Sequence, residues 1–135
     1  MALTKVTAAV LEPTAVTDNI SNGSIDSAKI ANDAVSYDKL GAEFTTAAAL
    51  SASDVDFSTA QVFTKTLAAN DTLTFSNVST GMVKDLVITG NFTLTLPASV
   101  KVISGTYDGT VSNLIQIVAT NGATEQWASI SQEAV

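Results

Sequence analysis

The chain has 135 residues and a net charge of −7, from 13 acids and six lysines, with no arginine, cysteine or histidine. Without Cys there is no disulfide, thiol nucleophile or thiolate metal site, and without His there is no Ser-His-Asp or Cys-His device. Nucleic acid and anionic membranes call for a basic, Arg-bearing face, so both are disfavoured as partners.

The hydrophobic fraction is 46% and the charged fraction only 14%. Thr, Ser, Asn and Ala stand where charge would be expected, a surface chemistry that leans towards β-rich extracellular or virion proteins. No stretch resembles a signal peptide, and no run approaches the roughly 18 apolar residues of a membrane-crossing helix. The expected site of synthesis is a host cytoplasm.

Residues 2–12 suit a short strand or helix, which Pro13 stops. Beyond it, apolar residues recur every fifth position: Ala15, Ile20, Ile25, Ile30, Val35 and Leu40. Within this run, Ser24 to Asp33 aligns with Ala34 to Glu43, Lys29 falling on Lys39. A step of five fits no regular element. On a helix it turns neighbours about 140° apart, and on a strand it flips faces. The pattern predicts an extended N-terminal arm with short helical turns. One such turn runs from Ser36 as N-cap to Gly41 as a left-handed stop. An arm of this kind cannot bury its own apolar residues. Ile20, Ile25, Ile30, Val35 and Leu40 are therefore the expected partner-binding residues.

Thr45 to Ala52 is Ala-rich, and Ser53-Asp54-Val55-Asp56 marks the expected boundary. The arm then spans residues 1–56 and a β-domain spans 57–135. Predicted strands cover Val62–Leu67, Leu73–Phe75, Val83–Thr89, Phe92–Leu96, Val100–Ile103, Asn113–Thr120 and Gln126–Ser131. Gly90-Asn91 reads as a tight hairpin, Tyr107-Asp108-Gly109 and Asn121-Gly122 as turns. Leu86-Val87-Ile88 reads as buried on both faces. Seven short strands with turns between them predict an all-β fold, a small antiparallel β-sandwich of jelly-roll type.

Candidate chemistry is sparse. Asp54 and Asp56 are close enough to contact a cation weakly, but two carboxylates alone are more simply solvated linker acids. The remaining acids sit mainly in turns, where Asp71 and Asp108 cap local backbone. No cofactor, metal or catalytic residue is expected, and the chain is read as a non-enzyme. Phe63, Phe75, Phe92 and Trp127 fall in apolar rows and read as core. Tyr107, in a loop, is the expected exposed contact and the best candidate for touching a host glycan. The Asn-x-Ser/Thr triplets at Asn19, Asn22, Asn70, Asn77 and Asn91 read as accidents of composition.

The stretch from Ile25 to Gly41 resembles repeats near the start of tailed-bacteriophage fibre and head-decoration proteins. The opening Met1-Ala2-Leu3-Thr4-Lys5-Val6 is similar to openings in that group. Lys65 to Phe75, Asn91 to Lys101 and the Trp127 strand resemble small β-domains of the same virion proteins. The resemblance covers most of the chain through motifs of common residues. It implies a virion-surface or attachment protein, homotrimeric, with the arm docked on the particle, and no catalytic residue. A host-reading fibre carries long shaft repeats, whereas this chain has two. That favours a capsid cement or decoration protein whose partner is the major capsid protein or another virion protein. Burying four or five arm side chains would contribute several kcal/mol at about 25 cal/mol per Å². The alternative is a short tail or head fibre that binds a host glycan. A cell-surface adhesin module is a third reading, which a secretion signal would support.

Overall fold

The computed structural model describes residues 30–32, 34–36 and 39–134, in two units, Met1–Asp38 and Lys39–Val135. Among its described residues the second unit is mostly β, with one short α-helix, α1 (Ala42–Thr45). Its strands are β1 (Ala47–Ala49), β2 (Asp54–Asp56), β3 (Val62–Thr66), β4 (Asp71–Thr72), β5 (Thr74–Ser76), β6 (Val83–Thr89), β7 (Leu94–Thr95), β8 (Val100–Ser104), β9 (Asn113–Asn121) and β10 (Glu125–Gln132).

The pairing is not that of a sandwich. Four ladders run parallel: β1 on β3, β3 on β6, β2 on β5, and β4 on β7. Each strand lies on one from the next coil of the chain, so the backbone winds as a short β-solenoid. Then β9 pairs antiparallel to β6, β10 returns antiparallel to β9, and β8 joins β10 in parallel. The result is one six-stranded sheet, ordered β1-β3-β6-β9-β10-β8, and two small two-stranded sheets on the other sides of the coil.

Stacking like positions explains the interior. Phe63, Leu86 and Ile115 are registered neighbours across β3, β6 and β9, and all three are buried. Val55 on β2 is fully buried, and Phe57 meets Phe75 with ring centroids 5.2 Å apart. Along β6 the buried positions alternate, Lys84, Leu86 and Ile88 pointing in. The expectation that Leu86-Val87-Ile88 is covered on both faces therefore fails at Val87.

The corners replace the expected hairpins. Gly90 sits at φ 111°, and a Cβ there would lie 2.5 Å from the Leu67 carbonyl oxygen of the coil beside it. It bends the chain from β6 towards β7, which lies on β4 and does not return along β6. The strand expected at Leu73–Phe75 begins one residue later, as β5, and the buried Leu73 lies at another corner, between β4 and β5. Asn121-Gly122 is the hairpin that does form: Gly122 takes φ 54°, and the Thr124 N–H donates to the Asn121 carbonyl at 3.0 Å.

The β-unit also begins before residue 57. β1 and β2 pair with β3 and β5, so residues assigned to the arm by composition belong to the coil. Gly41 lies outside the left-handed region, so it stops no turn. It opens α1 instead, its carbonyl accepting from the Phe44 N–H at 2.9 Å.

Candidate interaction surface

The six-stranded sheet has an inner side, packed on the coil, and an outer side. Strand alternation sends every second residue outward. On β9 these are Leu114, Gln116, Val118 and Thr120, between the buried Asn113, Ile115, Ile117 and Ala119. Register then orders the outward residues into rows across the strands. One row joins Val83, Val118, Trp127 and Lys101 on β6, β9, β10 and β8. The next joins Asp85, Gln116, Ser129 and Ser104. A third joins Val87, Leu114 and Ser131.

The first row is an apolar stripe lying in the open. Val83 and Val118 are 42% exposed and Trp127 is 43% exposed. Ile103, at the bulge where β8 slips against β10, is 61% exposed and shares a shallow hollow with the three. A contiguous exposed apolar patch of this kind marks a contact surface more often than scattered single residues do.

Polar groups around the stripe are already paired within the chain. The Trp127 Nε1–H donates to Glu125 Oε1 at 2.9 Å, Thr120 Oγ1 donates to the same oxygen at 3.1 Å, and Lys101 Nζ pairs with Glu125 Oε2. The bond from Lys101, then those from Trp127 and Thr120, hold the Glu125 carboxyl below the usual range. In the second row Gln116 Nε2 donates to Asp85 at 3.2 Å, and the Ser104 and Ser129 hydroxyls are 2.7 Å apart. The stripe is bordered by satisfied polar groups and ends in a neutral ion pair.

The residues expected from sequence to make contacts are placed as follows. Ile20 and Ile25 lie outside the described residues. Ile30, Val35 and Leu40 are exposed. Tyr107 is not the exposed loop contact expected of it. It packs on the core edge and donates its hydroxyl to the Gly90 carbonyl at 2.7 Å, tying its loop to the β6 corner. Burial, then the nearby Asp108, raises its pKa. Trp127 and Phe92, expected in the core, are both exposed, whereas Phe63 is buried. Asp54 and Asp56 are strand residues of β2. Asp54 accepts from the Thr74 and Ser76 hydroxyls of β5 at 3.0 and 2.6 Å, and Asp56 accepts from Ser58 and Asn77. Those bonds anchor β2 to β5. Among the described residues no group of three or more acids could hold a metal ion.

One more feature departs from the sequence reading. Lys84 points inward and is buried beside a cleft of about 730 Å³ lined by Glu43, Phe44, Phe57, Met82 and Val83. Its Nζ donates to the Ala60 carbonyl at 2.7 Å and to Gln61 Oε1 at 3.5 Å, and burial lowers its pKa. The amine ties β6 to the corner before β3.

No protein-family model, curated protein or solved structure matches the chain.

Proposed function

We propose that this chain is a non-enzymatic structural protein of a virion, a capsid cement or decoration protein. Its N-terminal arm docks on the major capsid protein, and its β-solenoid unit assembles with other copies, as a homotrimer. The observation that supports an assembly role is the apolar stripe Val83–Val118–Trp127 with Ile103. Such a surface is costly to leave in water at about 25 cal/mol per Å². The Trp127 indole N–H, the Thr120 hydroxyl and the Glu125 carboxylate beside it are bonded to one another, so covering it strands none of these three. The arm adds apolar side chains at every fifth position, three of which, Ile30, Val35 and Leu40, lie exposed.

The short-fibre alternative, gripping a host glycan, has lost its named contact, because the Tyr107 hydroxyl is bonded to Gly90. A glycan array with the full chain separates the two readings. Sugar-dependent binding supports the fibre, and none is expected.

The docking role is tested in the full chain by replacing Ile25, Ile30 and Val35 together with Ser. Circular dichroism and the unfolding midpoint should stay unchanged, while decoration of purified parent particles falls at least tenfold. Undiminished decoration would remove the arm from the function.

A further inference from the structure

We infer that the cleft beside Lys84 binds a slender aliphatic carboxylate. Its charged head pairs with the Lys84 ammonium, and its apolar tail lies along Phe44, Phe57 and Met82. The site does not depend on the virion reading above.

Lys84 holds an inward position of β6, in line with the buried Leu86 and Ile88, and is itself only 4% exposed. An ammonium brings a full charge and three N–H donors. Two acceptors meet it, the Ala60 carbonyl at 2.7 Å and Gln61 Oε1 at 3.5 Å, and both are uncharged. The second contact is at the long limit of a hydrogen bond. Among the described residues no carboxylate forms an ion pair with Lys84. Glu43 acts on it only through space, its carboxylate being folded onto Gly41. Burial lowers the Lys84 pKa, and Glu43 opposes this only in part. Buried charges are ordinarily paired. One anionic oxygen would complete this one, replacing the long contact to Gln61 while the bond to Ala60 stays.

The cleft has the room and the surface for the rest of such a ligand. Its volume of about 730 Å³ falls in the range of small-molecule sites. Phe44, Phe57, Met82 and Val83 make most of its wall apolar, and Lys84 and Gln61 line it together. A purely apolar molecule would leave the ammonium unpaired. A small anion would leave the rings and Met82 uncovered. A tail ending in one carboxylate meets both needs, and it must be slender because the lysine is nearly closed off.

Glu43 limits the affinity, since its charge repels an anion in the same cleft. It is only half-buried, however, and a buried charge is screened less than one near water. Lys84 therefore outweighs it at the head of the site. The net charge of −7 acts from farther away and is screened by salt beyond about 10 Å.

Decanoate is the probe, titrated into the full chain by calorimetry. Decanol carries the same tail without the charge, and acetate the head without the tail. Decanoate should bind saturably and about tenfold or more tighter than decanol, the worth of a hydrogen bond to a charged group. Acetate should give no saturable heat. Glu43→Gln should tighten decanoate binding. Phe44→Asp should weaken it, on a ring that is already 53% exposed and so not needed for folding. Lys84→Met, where circular dichroism matches wild type, should bind decanoate no better than decanol.

Equal binding of decanoate and decanol by the wild-type chain would overturn the pairing with Lys84 and leave a slot for an apolar side chain of some partner. Decanoate binding unmoved by both Glu43→Gln and Phe44→Asp would put the ligand elsewhere and overturn the site. So would decanoate that never saturates.

Discussion

Ile117 and Val118 are neighbours on β9, similar in chemistry and opposite in circumstance. Ile117 is fully buried, registered between Lys84 and Ala128. Val118 is 42% exposed, between Val83 and Trp127. The inner side of the sheet is closed by the coil of its own chain. The outer side has the same apolar character along one row, which the described residues leave exposed. The difference separates what holds the unit together from what it offers to others, and substitutions on the two sides should divide accordingly.

The largest effect is expected inside. Ile117→Ala removes buried methylenes from a row that cannot collapse around the gap, and should cost about 2–5 kcal/mol in denaturant unfolding. A loss like that of an exposed residue would mean that the inner side is not the core. Asn113 comes next. Its side-chain amide donates to the Asp108 and Val111 carbonyls at 2.7 and 3.0 Å, and its oxygen accepts from the Asp108 N–H at 2.9 Å. Asn113→Ala strands these groups and should cost about 1–3 kcal/mol. Gly90→Ala forces a Cβ into positive φ against Leu67, and should cost more than about 1 kcal/mol.

Lowering the pH tests the polar ties. Asp71 is held down first by the Ser53 hydroxyl, at 2.5 Å, and then by the Lys65 ion pair at 3.0 Å. Asp56, Asp108 and Glu125 are likewise lowered by the bonds they accept. A carboxyl whose folded pKa lies below its unfolded one stabilises the fold above the unfolded value. That contribution is lost as pH falls through the folded value. The thermal midpoint should therefore decline once pH enters the ordinary carboxylate range and keep falling below it. A midpoint flat through that range would show these bonds to be without weight.

The smallest effect on folding is expected on the outer side. Val118→Thr keeps the β-branched shape and should move stability by no more than about 0.5 kcal/mol. Lys84→Met belongs with the inner side: it leaves the Ala60 carbonyl without its donor and should cost about 1–3 kcal/mol in denaturant unfolding.

The strands were largely legible in the sequence, and their pairing was not. Val83–Thr89 is found with the bounds expected, Asn113–Asn121 runs one residue longer at its end, and Glu125–Gln132 one residue longer at each end. Period-two alternation and turn residues mark where a strand lies, because those signals are local. They do not say which strand lies beside it. Gly90 serves a hairpin or a solenoid corner equally well, and only the approach of Leu67 decides between them. Likewise, β9 is apolar in both phases, with Ile115 and Ile117 on one side and Leu114 and Val118 on the other. That pattern fits burial on both faces and equally one face covered by the chain and one left open, and nothing local distinguishes the two. Lys84 shows the same limit, since a cation at an inward position is placed by the Ala60 carbonyl, which alternation cannot reveal.

Sedimentation equilibrium, applied to the full-length chain and to the double variant Val118→Thr, Trp127→Ser, tests most directly whether the open stripe joins copies. Wild type should show a molar mass that rises with concentration through the micromolar range to a multiple of the 13.9 kDa chain. The variant should stay at that single-chain mass with an unchanged circular dichroism spectrum. Equal mass for the two proteins at every concentration would contradict the assignment of the stripe as the contact.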